Sequence, residues 1–113
     1  MDKLKHYREL IQKILTDYYE LDLRSLDPNM EAMIAFDEVH DQYLWFQIGW
    51  EGQRRVRDVT VHIRIHEGKI WIEEDWTENG IAADLIEAGI PKSDIVLGFH
   101  HPSKRPLTEC AIA

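Results

Sequence analysis

Cysteine appears once in the 113 residues, proline four times and glycine six times. The single thiol, Cys110, has no internal partner, so a disulfide framework is excluded and a reducing, cytoplasmic home is the expectation. The opening MDKLKHYREL sets charges where a secretory signal carries its apolar segment, which points the same way. No apolar run approaches the roughly 20 residues that a membrane helix needs, because Asp, Glu, Lys or Gly interrupts every such interval. Positive charge is also scarce: 13 Lys and Arg stand against 21 Asp and Glu, a formal net charge of −8. A field of that sign repels a phosphate backbone, so strong unaided DNA binding is not expected. There is no G-x-S-x-G elbow, no glycine-rich phosphate loop and no C-x-x-C pair, which leaves the common enzyme classes and their cofactors without support.

Apolar residues make up 44% of the chain, enough for one domain spanning residues 1–113 with a core of its own. Leu4, Tyr7, Ile11, Ile14, Leu15 and Tyr18 recur at helical spacing, and Asp2 is placed to cap the start, so a helix is expected over residues 2 to 20. Asp27-Pro28-Asn29 then closes a loop that begins at Leu21. From Met30 the period falls to two, and MEAMIAFDEVH, YLWFQIGWE, RDVTVHIRIH and KIWIEED predict four strands. Glu67-Gly68 suits a primed hairpin turn, Asp41-Gln42 is the first joint, and Gly49 to Arg55 reads as a longer polar connection.

Alternation assigns Leu44, Phe46, Ile48 and Trp50, with Val59, Val61, Ile63, Ile65, Ile70 and Ile72, to the core face. The opposite face then carries Tyr43, Trp45, Gln47, Thr60, His62, Arg64, His66, Lys69, Trp71 and Glu73, and is open to a partner or to the chain's own tail. Thr77 or Asn79 caps a short helix through Ile81, Leu85 and Ile86 that stops at Gly89. Ile95, Val96, Leu97 and Phe99 follow as a buried segment, HHPSKRP as a polar excursion, and the apolar CAIA end packs on the body or on a second copy. The fold class is α+β, an N-terminal helix on a four-stranded antiparallel meander, followed by a short helix and an apolar C-terminal segment.

Candidates for chemistry each carry a structural alternative. His62 and His66 lie roughly 13 Å apart along one extended strand, too far to share an ion. Asp75, Glu78, His100 and His101 compose a metal-dependent hydrolytic centre on paper, yet carboxylates at a helix start also satisfy free amides without catalysis. Arg54, Arg55 and Arg57 form the one basic cluster, a weak nucleic-acid contact or a solvated edge. Cys110, among apolar neighbours, reads as an inert thiol.

The run GIPKSDIVLGFHHPSKRP, within KIWIEEDWTENGIAADLIEAGIPKSDIVLGFHHPSKRPLTECAIA, closely resembles the XisI family. YRELIQKILTDYYE, YLWFQIGW and RRVRDVTVHIRIHEGKIWI extend the likeness over essentially the whole chain. These are excision-controlling factors of the nitrogen-fixation gene element in filamentous cyanobacteria, active during heterocyst differentiation. The resemblance implies a non-enzymatic regulatory accessory that works with a site-specific recombinase and a nuclease-like companion, XisH, and supplies no catalytic residues. A partner-binding surface of Trp45, His62, Arg64, Trp71, His100, His101, Lys104 and Arg105 is the expectation, with self-association into a homo-oligomer.

Overall fold

The computed structural model describes residues 2–24 and 27–113. Asp2 accepts from the amides of Leu4 (3.0 Å) and Lys5 (3.3 Å) and so caps helix α1, Lys3–Asp22. Tyr7, Ile11 and Leu15 recur every fourth residue, and this stripe is the buried side of the helix. The loop expected from Leu21 is two residues shorter, because α1 continues to Asp22; Ser25 and Leu26 within it lie outside the described residues. Its closing turn is present, with Asp27 O accepting from Met30 N at 2.8 Å.

Five strands make one sheet: β1 (Met30–Asp37), β2 (Gln42–Glu51), β3 (Arg54–His66), β4 (Lys69–Asp75) and β5 (Ile95–Leu97), in that spatial order. The first four form the expected antiparallel meander. The fifth is an addition: the apolar segment after the second helix, α2 (Ile81–Glu87), runs parallel to β4. Ala111 then bridges to Val96, and its amide bonds Ile95 O at 2.8 Å, so the C-terminal residues close that edge of the sheet. Glu67 (φ 51°) and Gly68 (φ 78°) make the expected primed turn. The middle joint is tighter than expected: Glu51 pairs with Arg54 across Gly52 (φ 65°) and Gln53, which brings Arg54 and Arg55 into β3.

Strand β2 presents the face opposite to the one expected. Tyr43 and Trp45 are buried beneath α1, while Leu44, Phe46 and Ile48 lie half-buried on the outer face and Trp50 is exposed. Both alternations of this strand are apolar, so hydrophobicity does not choose between them. What chooses is the set of partners on the inner side: Tyr43 Oη donates to Asp41 (3.0 Å) and Gln47 Nε2 to Asp22 at the end of α1 (2.9 Å). Trp45 stacks on Tyr18 of α1, centroids 5.7 Å apart. A register shift at Thr60 carries Val59 to the outer face opposite Phe46, whereas Val61, Ile63 and Ile65 face the core as expected.

A second shift, at Glu73, sets Glu74 opposite His62 and Asp75 opposite Val61 on the inner face. Asp75 Oδ1 accepts from the Thr77 amide (2.9 Å) and hydroxyl (2.6 Å), and Oδ2 from the Ile81 amide (2.7 Å). The start of α2 is therefore held by Asp75, not by Thr77 or Asn79, and the residue at its N-cap is Gly80 at φ 83°. Ile81 and Leu85 seat α2 in the core with Ile70, Ile72 and Ile95.

Tyrosine–aspartate pairs lace the layer together. Tyr18 Oη donates to Asp84 of α2 (2.6 Å), and Tyr7 donates to Asp94 beside β5. Burial and then the Asp94 bond push the Tyr7 phenol up to about 12. Asp94 feels the upward pull of burial, but hydrogen bonds from Tyr7 and Lys3 hold it below the usual carboxylate range. Asp41 receives Arg8 in a fork, Nε at 2.7 Å and Nη2 at 3.2 Å, and the bond from Arg8 lowers its pKa.

Two outcomes follow for stability. Replacing Asp75 by Ala removes three hydrogen bonds and the hold on α2, and chemical denaturation is expected to show a loss of about 1–3 kcal/mol; an unchanged midpoint refutes the capping role. Asp41 is depressed when folded, so its contribution is present above the unfolded carboxylate pKa and disappears as pH falls through the depressed value. Asp41→Asn is expected to be less stable than the wild type at neutral pH, with the gap closing below about pH 4. A gap that stays constant on acidification contradicts this assignment.

Candidate functional site

Among the described residues no α-helix lies over the outer face of the sheet. Its centre is apolar: Met33 lies opposite Phe46, Ala35 opposite Leu44, and Phe46 opposite Val59. Cations gather along β3 beside that centre, where Arg55, Arg57, His62 and Arg64 share the face by register with Trp50, Ile48, Leu44 and Gln42. The helical side mixes both signs, with Lys3, Lys5, Arg8 and Lys13 beside Asp17, Glu20, Asp84 and Glu87.

Trp71 is the anchor of one half of this face. Its ring lies between two guanidinium groups, Arg64 at 5.0 Å and Arg105 at 5.3 Å from the centroid, with His66 edge-on at 6.0 Å. Arg64 is also paired with Glu73. Arg105 comes from the HHPSKRP excursion, which folds back as a 3-10 turn over Pro102–Leu107. It donates to the carbonyls of His100 (3.1 Å), Gly98 (3.3 Å) and Ile112 (3.4 Å), fastening that turn against the sheet. His101 caps the turn through the Ser103 amide (3.2 Å), His100 packs on Phe99, and Lys104 is exposed. His62 bonds Gln42 at 2.8 Å.

The residues expected to form one partner surface are therefore brought together only in part. Arg64, Trp71 and Arg105 form a single stack, with His62 on the same strand face. His100, His101 and Lys104 belong to the excursion held by that stack. Trp45 is on the other side of the sheet, 7% exposed, because β2 turns its tyrosine–tryptophan alternation inward. Leu44, Phe46, Ile48 and Val59 take the outer positions instead, and no periodicity in the sequence distinguishes them from core residues.

The other half of the face lies where β4 ends. Trp76 donates its amide to Thr60 O (2.9 Å) as the last rung, then stands 75% exposed with its indole on Glu74 (2.7 Å). Beside it opens a cleft of about 630 Å³ lined by Arg57, Asp58, Thr60, Glu74 and Trp76. Arg54 is paired with Glu51 at 3.2 Å and Arg55 lies over Trp50 at 5.0 Å. Carboxylates of Asp58 and Glu74 in the same cleft make it a poor seat for a phosphate backbone.

Asp75, Glu78, His100 and His101 do not converge. Among the described residues no group of three or more His, Cys, Asp or Glu side chains is placed to hold a metal ion. Both oxygens of Asp75 are engaged in starting α2. Cys110 is half-buried, and burial pushes its thiol up, away from the reactive thiolate form. No helix among the described residues is long and apolar enough to cross a membrane.

Comparison with known proteins agrees with this architecture along its whole length. The family model described as XisI protein matches residues 1–112. A crystal structure of the fdxN element excision controlling factor XisI from Anabaena variabilis ATCC 29413 is 51% identical, with a TM-score of 0.87 over 99% of this chain and 100% of that one. A XisI-like protein from the same organism is 35% identical, with a TM-score of 0.90 over 99% of this chain and 100% of that one. None of the curated proteins compared with the chain matches it. With the family model covering all but the last residue, and both structures sharing its helix-on-sheet architecture end to end, the chain belongs to the XisI protein family.

Proposed function

We propose that this chain is a non-enzymatic accessory factor controlling the excision of a DNA element, and that it acts in the cytoplasm through protein contacts. The observation that carries the reading is the 51% identity, over 99% of the chain, to a protein described as an excision controlling factor. The geometry supports the protein-contact part. An uncovered sheet face with an apolar centre and an arginine–tryptophan border has the make-up of an interface: aromatic and Arg residues enriched, charge kept to the rim. The partner in this reading is a nuclease-like companion of the XisH type, which in turn serves a recombinase. Exposed Trp50, Leu107 and Ile112 border the same body and give self-association a surface.

Mixing the purified chain with the companion at micromolar concentration is expected to yield a complex that elutes as one species. Phe46→Asp places a charge at the centre of the outer face and is expected to weaken that complex by about tenfold or more, with the helical signal of the chain unchanged. Failure of the wild-type chain to form the complex contradicts the reading, as does an affinity unmoved by Phe46→Asp.

A further inference from the structure

β3 is longer than the strand beside it. β4 pairs with it only from Val61 to His66, and the last rung is the bond from Trp76 N to Thr60 O. From Arg54 to Val59, β3 is bonded to β2 on one side and, among the described residues, has no strand on the other. The two-residue turn at Gly52 and Gln53 makes Glu51 and Arg54 a hydrogen-bonded pair, and antiparallel pairs alternate. The N–H groups of Arg54, Val56 and Asp58 therefore point to β2. Those of Arg55, Arg57 and Val59, with their carbonyls, point to the empty side.

We propose that this free edge receives an extended strand from a protein partner, acidic at alternate positions, laid in line with the end of β4. The proposal rests on the protein-contact reading above and adds the chemistry of the partner. Backbone groups give such a strand its hydrogen bonds, and side-chain alternation gives it specificity. Residues opposite Arg55 and Arg57 share the outer face with those two guanidinium groups, and Arg57 has no carboxylate within ion-pair distance among the described residues. Residues of the opposite parity fall on the side of Val56 and Asp58, where the Asp58 carboxylate repels an acid and an apolar residue fits beside Val56. Acid and apolar residues must alternate.

A second copy does not satisfy this edge. Antiparallel pairing of β3 with itself centred on Val56 sets Arg55 against Arg57, and like charges directly opposite destabilise the pair. A nucleic acid supplies no strand of amides and meets Asp58 and Glu74.

The test uses the whole chain and a synthetic peptide of about ten residues alternating Glu and Val, long enough to cover the edge. The controls are a Lys–Val peptide and a peptide of the same composition with its Glu and Val in adjacent pairs. Amide hydrogen exchange is read residue by residue. In the free chain, Arg55, Arg57 and Val59 are expected to exchange about tenfold or more faster than Val56 and Asp58. The alternating Glu peptide at millimolar concentration is expected to slow those three amides by about threefold or more, and neither control is. Arg57→Pro removes one edge donor and leaves the β2 ladder intact, since an edge tolerates proline, and is expected to abolish the effect. The double variant Arg55→Glu, Arg57→Glu, which leaves the backbone unaltered, is expected to transfer the response to the Lys–Val peptide.

Four results overturn the proposal. One is protection of the three amides in the free chain, and another is protection that rises with protein concentration alone, which assigns the edge to a second copy. Equal response to all peptides is a third. Open amides with no response mean that the arginines only guard the edge. None of these outcomes requires the companion, so loss of the companion complex and loss of this edge are separate findings.

Discussion

The short stretch from Glu73 to Asp75 governs how the sheet ends. The extra residue at Glu73 turns Asp75 from the outer face to the inner one. There its carboxylate takes the Thr77 amide and hydroxyl and the Ile81 amide, so the chain leaves the sheet and begins α2 at one point. β4 stops, β3 continues alone, and the cleft beside Trp76 is the space between them. Without the shift, Asp75 would face solvent and α2 would start with free amides in the core. A residue type that suggests acid–base chemistry is here a fastening between two elements.

The same division of labour runs through the molecule. The inner face is occupied by α1 and α2, whose tyrosines send their hydroxyls to Asp84 and Asp94 while Tyr43 reaches Asp41 beneath Arg8. Acidic side chains on that side are used to hold helices to sheet. The outer face keeps its arginines, two of them against Trp71 and others along β3, next to an apolar centre that no α-helix among the described residues covers. One layer makes the fold and the other is available for contact.

Legibility in the sequence followed the uniqueness of the pattern. Tyr7, Ile11 and Leu15 fit only one helical face, Asp2 is the one cap before them, and Glu67-Gly68 permits only a tight turn, so α1 and the β3–β4 hairpin were readable. β2 was not, because Tyr43, Trp45 and Gln47 alternate with Leu44, Phe46 and Ile48 and both sets can pack. The bond from Gln47 to Asp22 and the stack of Trp45 on Tyr18, both made with α1 in a distant part of the chain, decide the matter. Nor does any local signal mark the shifts at Thr60 and Glu73, which arise from pairing between strands. Ile95 to Leu97 was readable as buried, but its place beside β4 depends on the path of α2. At the candidate site, Arg64 and Trp71 were legible from alternation, and the part of Arg105 depends on a turn that brings it back over Trp71.

In the function proposed here, contact with a partner uses the outer face and the free edge of β3, and the helical layer serves the fold. Amide exchange across the chain in complex with its companion tests it most directly, comparing each residue with the free protein. Slowing is expected to concentrate at residues 54–59 and at the strands around Phe46 and Trp71, with the exposed side of α1 unchanged. Slowing centred on α1, with the edge of β3 as open as before, would contradict it.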